Sequence, residues 1–271
     1  MDRGRRRDVA VAVGILAAGA VVAALVGAGG WPGAPSGCVE AGDCYCELRH
    51  GGLVAQPVNT FSNLGFVAVG LGVLAFAGAG AGRRNRFTTD AAYRRTYGAV
   101  VISLGVASMV FHGTMTEWGG WADLVSMHLF VTFVLLYDLA VTWRRRTRWF
   151  LGSWTAANLV LGIALWLMDN GYGKYLFAAL LVATVVVDLR VTRPPEAAVA
   201  RDRRLLGAGL GVYLAGQVVW LLSRDGAPWC APASLFQGHA LWHLTGAATV
   251  ALVYLYLSSE REHAPALEPA A

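Results

Sequence analysis

Eight stretches of this chain are apolar for roughly the length a helix needs to cross a bilayer, and no other feature restricts the fold as much. They cover residues 9–28, 61–81, 97–111, 121–143, 149–168, 172–187, 205–222 and 239–257. At 1.5 Å of rise per residue, ~20 apolar residues cross a hydrocarbon layer ~30 Å thick. The third and sixth stretches are short as purely apolar runs, so their helices are expected to borrow flanking residues. Hydrophobic residues make up 56% of the chain and charged ones 14%, well under the ~25% charged residues of a typical soluble domain. In lipid a backbone must satisfy its own hydrogen bonds, and long apolar runs without alternation do so as helices. The expected fold is all-α, a polytopic membrane helix bundle.

The basic residues orient that bundle. With the amino terminus taken as cytoplasmic, 19 of the 22 Lys and Arg residues fall in segments on that side, and only Arg49, Lys174 and Arg224 fall on the other. So one-sided a distribution follows the positive-inside tendency, and adding or removing one helix would destroy it. Both termini are therefore expected in the cytoplasm of a multi-pass protein of the cell membrane. The net charge of +5 then marks topology at the lipid headgroups. The arginine runs lack the interleaved aromatics of a strand-binding groove, so no nucleic-acid partner is expected. The resulting organisation has cytoplasmic arginines and an anchor helix at residues 1–30 and an external Cys-rich loop at 31–60. Seven further helices follow at 61–258, with a cytoplasmic tail at 259–271. The first segment also resembles a secretory signal, but its apolar stretch from Val9 to Val26 exceeds the ~7–15 residues usual for one, which favours a retained anchor.

All four cysteines lie on the external side in this arrangement, Cys38, Cys44 and Cys46 in the first loop and Cys230 in the last. Confinement to the oxidising side favours two disulfides, with three pairings open. A thiolate metal site is the competing reading, and the absence of Cys-x-x-Cys spacing weighs against it.

Polar residues within the apolar runs are costly in lipid unless paired or bound, so they are candidates for function. Ser108 and His112 are four residues apart, as are His239 and His243, so each pair shares a helix face. The topology brings His112 to the outer end of one helix, Asp123 to the first turn of the next, and His239 and His243 to the first turns of the last. Every member of this set falls near the external face. Three imidazoles with a fourth position open form a catalytic type of zinc arrangement, whereas a structural site would use four protein ligands. Asp123 is then the natural general base, and Ser108 can hydrogen-bond the attacking water or a developing oxyanion. His50, His128 and His263 are expected to be interfacial or hydrogen-bonded residues, with His128 at most supporting the site. Haem ligation by His239 and His243 is excluded, because axial ligands approach from opposite sides of the ring.

Taken together, Cys46-Glu47, Asn59-Thr60-Phe61-Ser62-Asn63, Ser108-x-x-Phe111-His112 with Asp123, and His239-Ala240-Leu241-Trp242-His243 resemble the alkaline ceramidase family. That family is part of a membrane hydrolase superfamily that also contains the adiponectin-type receptors. The resemblance covers the seven later helices and implies a seven-helix ceramidase-like core plus one N-terminal transmembrane helix. It implies His112, His239 and His243 as ligands of Zn2+, with Ser108 and Asp123 completing the catalytic site. The implied substrate is a membrane lipid, a ceramide or related N-acyl lipid, cleaved to a free fatty acid and a sphingoid-type amine. It also implies a Cys46–Cys230 disulfide, with Cys38 and Cys44 as a local pair. Family members with a calcium site carry more acidic residues there, whereas this chain has Arg49 and Gln56 at two of the positions. Ca2+ is thus a candidate only at a weak oxygen-ligand site formed by Asp43, Tyr45, Glu47 and Gln56. The stretch from Thr116 to Gly120 differs from familiar members and leaves the identity of the lipid open.

Two other classes compete. A seven-helix receptor or scaffold would hold a structural zinc without turnover, and its cue, a large ligand-binding tail, is missing from this sequence. A transporter would show an internal repeat with broken helices, and none is evident. The sequence points to no particular protein partner.

Overall fold

The computed structural model describes residues 1–41, 45–76, 85–168, 170–192 and 199–262. Asp43, Cys44 and His263, three residues on which sequence expectations rest, lie outside these ranges.

The helices in chain order are α1 (Arg3–Gly27), α2 (Gly37–Ala41), α3 (Pro57–Ser62), α4 (Leu64–Phe76), α5 (Arg86–Thr89), α6 (Ala91–Thr114), α7 (Glu117–Thr142), α8 (Thr147–Leu167), α9 (Asn170–Val191), α10 (Arg203–Ser223) and α11 (Gly238–Ser258). Strands β1 (Val199–Ala200) and β2 (Arg261–Glu262) pair antiparallel, with Val199 opposite Glu262. Among the described residues, seven helical units are long and apolar enough to cross a membrane: α1, α3 with α4, α6, α7, α8, α10 and α11. Helix α9, at 22 residues, has comparable length and packs beside α7. The chain is thus an all-α polytopic bundle. The two short apolar runs do take in flanking residues, giving α6 its 24 residues and α9 its 22.

Polar caps set several helix starts by accepting hydrogen bonds from first-turn amides that have no partner within the helix. Asp90 accepts from the Ala92 amide at 2.9 Å, and the Thr116 hydroxyl accepts from the Gly119 amide at 3.2 Å. The second spanning unit starts at Pro57, ahead of the apolar run at Phe61. Proline at the first helical position has no amide to satisfy, and the Glu47 carboxylate takes the next two, from Val58 at 2.7 Å and Asn59 at 2.8 Å.

Helix α6 is central. It packs against α3, α4 and α7; α7 in turn carries α8 and α9, and α11 lies between α4 and α10. Small residues let α4 and α6 approach closely, since a Cβ on Gly70 would stand 2.8 Å from the Gly98 carbonyl. Away from the Ser108–His112 end of α6, the core is aromatic. The rings of Tyr93 and Phe150 are 5.0 Å apart and those of Tyr97 and Phe133 5.3 Å, edge-on or tilted as their quadrupoles favour. Large apolar side chains on α1 and α8 point outward, Ile15 at 67% exposure and Leu167 at 78%. Such surfaces would be a liability in water, but against lipid tails they meet a solvent of their own polarity.

At that same aromatic end the bundle is tied by charge. The buried Arg201 guanidinium donates to Asp138 on α7 (2.7 Å), Asp188 on α9 (2.6 Å) and Glu260 after α11 (2.7 Å). Tyr137 donates to Glu260 at 2.8 Å and Tyr256 to Asp188 at 2.7 Å. Burial alone would lower the Arg201 pKa, but the three carboxylates hold it well above the ordinary arginine value.

Candidate active site

His112 stands in the last full turn of α6, and His239 and His243 stand in the first two turns of α11. The α6–α11 arrangement brings one ring nitrogen from each to within 4.8 Å of the others, and all three side chains are buried. Among the described residues this is the group of three or more His, Cys, Asp or Glu side chains whose geometry could hold a metal ion.

Neighbouring polar groups decide which nitrogen each ring presents. His112 Nδ1 is 2.9 Å from Gln56 Oε1, an atom that can only accept, so Nδ1 donates and Nε2 keeps its lone pair. Gln56 is itself fixed, because its Nε2 donates to the Glu47 carbonyl at 3.0 Å. His243 Nδ1 lies 2.8 Å from Ser62 Oγ and 3.1 Å from the Asn63 side-chain nitrogen. Both groups engage Nδ1, so the ring is held with Nε2 as its other nitrogen, 3.5 Å from Ser108 Oγ. The Nε2 atoms of His112 and His239 are 3.0 Å apart. Either a proton on His239 Nε2 or a cation bound to both nitrogens accounts for that approach. The Nδ1 of His239 is buried and has no hydrogen-bond partner.

Ser108 sits one turn before His112, and its hydroxyl is 3.5 Å from His243 Nε2. It also interacts with the carboxylate of Asp123, which is half-buried in the second turn of α7. The structure thus assembles Ser108, His112, Asp123, His239 and His243 from three helices at one end of the bundle. His128 stands apart: it is buried, its Nδ1 donates to the Leu124 carbonyl at 2.8 Å, and its ring packs 5.9 Å from Phe177. His50 is exposed.

The first loop closes over these histidines. The Tyr45 ring lies 4.2 Å from His239 and 4.9 Å from His112, between centroids. Tyr45 and Cys46 both have positive φ, 52° and 60°, a conformation that costs non-glycine residues ~1–3 kcal/mol each and persists where surroundings enforce it. A disulfide between Cys46 and Cys230, with Cα atoms 5.5 Å apart, anchors that turn to the loop preceding α11. Cys38 is disulfide-bonded as well.

Of the four residues considered for calcium, Asp43 is outside the described ranges, and the others have partners of their own. Both carboxylate oxygens of Glu47 accept amides of α3, the carbonyl of Tyr45 accepts the Glu47 amide at 2.6 Å, and Gln56 bridges His112 to the Glu47 carbonyl. Nothing in the sequence pattern ties Gln56 or Ser62 to the histidines or sets the Tyr45 ring against them. The signal within reach was polar Gln56, Asn59, Ser62 and Asn63 at the head of an apolar run, where lipid demands that each have a partner.

A family model described as Ceramidase matches residues 44–266. The chain belongs to the ceramidase family. A search of curated proteins returns no match. The ceramidase match includes all five assembled residues, together with Tyr45, Gln56 and Ser62. It begins after α1 and α2, so the first 43 residues of this ceramidase-family chain lie outside it. Membership implies a membrane-embedded hydrolase of amide bonds with a lipid substrate. The buried histidine trio adds a place where a metal ion could be held.

Proposed function

We propose that this chain is a zinc-dependent integral-membrane amidohydrolase. It cleaves the N-acyl amide of ceramide or a ceramide-like lipid to a free fatty acid and a sphingoid-type amine. The observation carrying this reading is the convergence of three imidazoles with Ser108 and Asp123 alongside. Three nitrogen ligands of this kind suit zinc with one coordination position open. A zinc ion bound there would supply Lewis acidity to the scissile carbonyl and to water.

His112, His239 and His243 would hold the ion, Gln56 fixes the His112 ring by accepting its Nδ1 proton, and Ser62 fixes the His243 ring through a contact to Nδ1. Asp123 accepts the proton of the water that attacks the amide carbon and delivers it to the leaving nitrogen as the C–N bond breaks. Ser108 donates to the Asp123 carboxylate before the water is deprotonated, and its proton is released to the developing oxyanion once Asp123 is itself protonated. Tyr45 and the aromatic residues around it keep bulk water from the rings. The site is at an end of a bundle whose flanks are lipid-facing, so a substrate already in the bilayer reaches it most directly.

The orientation proposed for the chain has both termini in the cytoplasm and the site near the external face. Residues 1–30 then form an anchor, 31–60 an external loop, 61–258 the seven-helix domain and 259–271 a cytoplasmic tail. The 19-to-3 division of basic residues supports it. Cysteines introduced at the exposed positions Ala233 and Arg148 test it. An impermeant thiol reagent on intact cells should label the first and spare the second, and the reverse pattern sinks the orientation.

Metal analysis of the purified protein, run beside hydrolysis of N-acyl lipids, tests the enzymatic reading. Wild type should carry about one zinc per chain and turn over, and His243→Ala should lose both. Asp123→Asn should keep its zinc while turnover falls by ~10²–10⁴-fold. A wild-type protein that holds zinc tightly and releases no product from a broad panel of N-acyl lipids would instead be a seven-helix receptor or scaffold with a structural ion.

A further inference from the structure

The first 43 residues are outside the family match, yet they touch the part of the chain on which the site depends. The turn between α6 and α7 lies between His112 and Asp123, which are eleven residues apart in sequence. Its first half is held by the main loop, where the amides of Ala55 and Gln56 donate to the carbonyls of Gly113 (2.9 Å) and His112 (3.1 Å). Its second half is held by the N-terminal segment. The Ser36 amide donates to the Met115 carbonyl and the Glu117 amide to the Ala34 carbonyl, both at 2.9 Å, forming an antiparallel bridge of Pro35 with Thr116. The Trp118 indole adds a bond to the Pro32 carbonyl at 2.8 Å.

The fit at this contact is close. Gly33 has φ +107°, and a Cβ there would stand 2.9 Å from the Trp118 ring. The segment is secured at its other side too, since the Trp31 indole donates to the Leu53 carbonyl at 2.9 Å. At the far end of α6, Asp8 of α1 pairs with Arg94 at 2.7 Å and Arg95 at 3.0 Å. Helix α1 and the segment after it therefore grip α6 at both ends. Met115, which ends α6, has φ 52°, a left-handed conformation that a non-glycine residue keeps only when its neighbours enforce it.

We infer that residues 1–36 are a built-in brace for the α6–α7 turn, and that through it they position Asp123 relative to the histidines. The inference rests on the hydrolase reading for its consequence in catalysis, but the brace itself is a matter of structure. The same contact engages the first half of the stretch from Thr116 to Gly120. Thr116 and Glu117 pair with the N-terminal segment, and Trp118 packs on Gly33. These are positioning roles, because none of the brace residues reaches the reacting groups. The two holds on the turn act on different residues. Loss of the brace frees the Asp123 side, while His112 stays tied through Gln56.

Gly33→Val in the full-length chain tests this, since the added side chain cannot fit against Trp118 and no site residue is altered. Amide hydrogen exchange, bound zinc, kcat and KM are measured on the purified protein, with Trp118→Phe as a milder second variant that removes only the indole bond to Pro32. Gly33→Val should speed exchange at the Ser36 and Glu117 amides by at least ~10-fold and lower kcat by ~10-fold, with KM within about twofold and zinc retained. Trp118→Phe should move both readouts in the same direction by a smaller factor. Faster exchange at Glu117 with unchanged kcat overturns the positioning role, and unchanged exchange in both variants overturns the brace itself. Loss of zinc along with kcat would mean general loosening and would also overturn it. Failure of the hydrolase reading looks different: wild type itself gives no product, while the exchange and zinc measurements still report on the brace.

Discussion

Gln56 and Ser62 orient two of the histidines. An imidazole offers two nitrogens, and a metal-binding site needs the one that faces the ion to carry no proton. Gln56 settles this for His112 by accepting from Nδ1 at 2.9 Å, and Ser62 holds the His243 ring through Nδ1 at 2.8 Å. Gln56→Ala would leave a buried N–H without an acceptor and let the ring turn. Its expected effect is a ~10–100-fold loss of zinc affinity, measured by competition with a chelator. Gln56→Glu keeps an acceptor at the same place and should retain most of the affinity. If the alanine variant bound zinc as tightly as wild type, Gln56 would have no orienting role. Tyr45 belongs to this scale as well. Its ring, 4.2 Å from that of His239, covers the one member of the trio whose Nδ1 lacks a hydrogen-bond partner.

The second spanning unit carries Ser62 to the site where its two helices join. Helix α3 ends at Ser62 and α4 begins at Leu64, and Asn63 between them keeps helical angles (φ −68°, ψ −13°), with Ser62 facing His243. The junction lies directly against α6. A Cβ on Gly105 would come within 2.8 Å of the Asn63 carbonyl and 3.0 Å of the Phe66 side chain. Gly105→Val should therefore push α3 and α4 away from α6, destabilising the fold by about 1–3 kcal/mol, as overpacking generally does. Thermal unfolding in detergent would record that loss. Because Ser62 moves with Asn63, zinc affinity should fall in the same variant. Unaltered stability and zinc binding would show that the two helices have room to spare at this crossing.

Across the whole molecule, two ties hold distant segments together at opposite ends. At the site end, the Cys46–Cys230 disulfide joins residues 184 apart in sequence and fixes the first loop over the histidines. At the other end, Arg201 gathers α7, α9 and the segment after α11 through three buried carboxylates. Removing the cation alone leaves those carboxylates facing one another without compensation. Arg201→Met is accordingly expected to cost about 3–5 kcal/mol, seen as a lower unfolding midpoint, even though methionine fills much of the same volume. An unfolding midpoint equal to that of wild type would mean that the cluster contributes nothing to stability.

Much of this protein could be read without its fold. The apolar runs dictate spanning helices because lipid offers the backbone no hydrogen bonds, and the arginine distribution supports an orientation. Helical period alone places Ser108 with His112 and His239 with His243, and topology carries Asp123 to the same depth. Periodicity says which face a residue lies on, however, and not what stands opposite that face. The pairing of Ser62 with His243 spans 181 residues of sequence, and that of Arg201 with Glu260 spans 59. Those partners, the Tyr45 ring and the N-terminal segment on the α6–α7 turn are set by how the helices pack. In a medium where every buried polar group must find a partner within the protein, only the tertiary structure decides which one it finds.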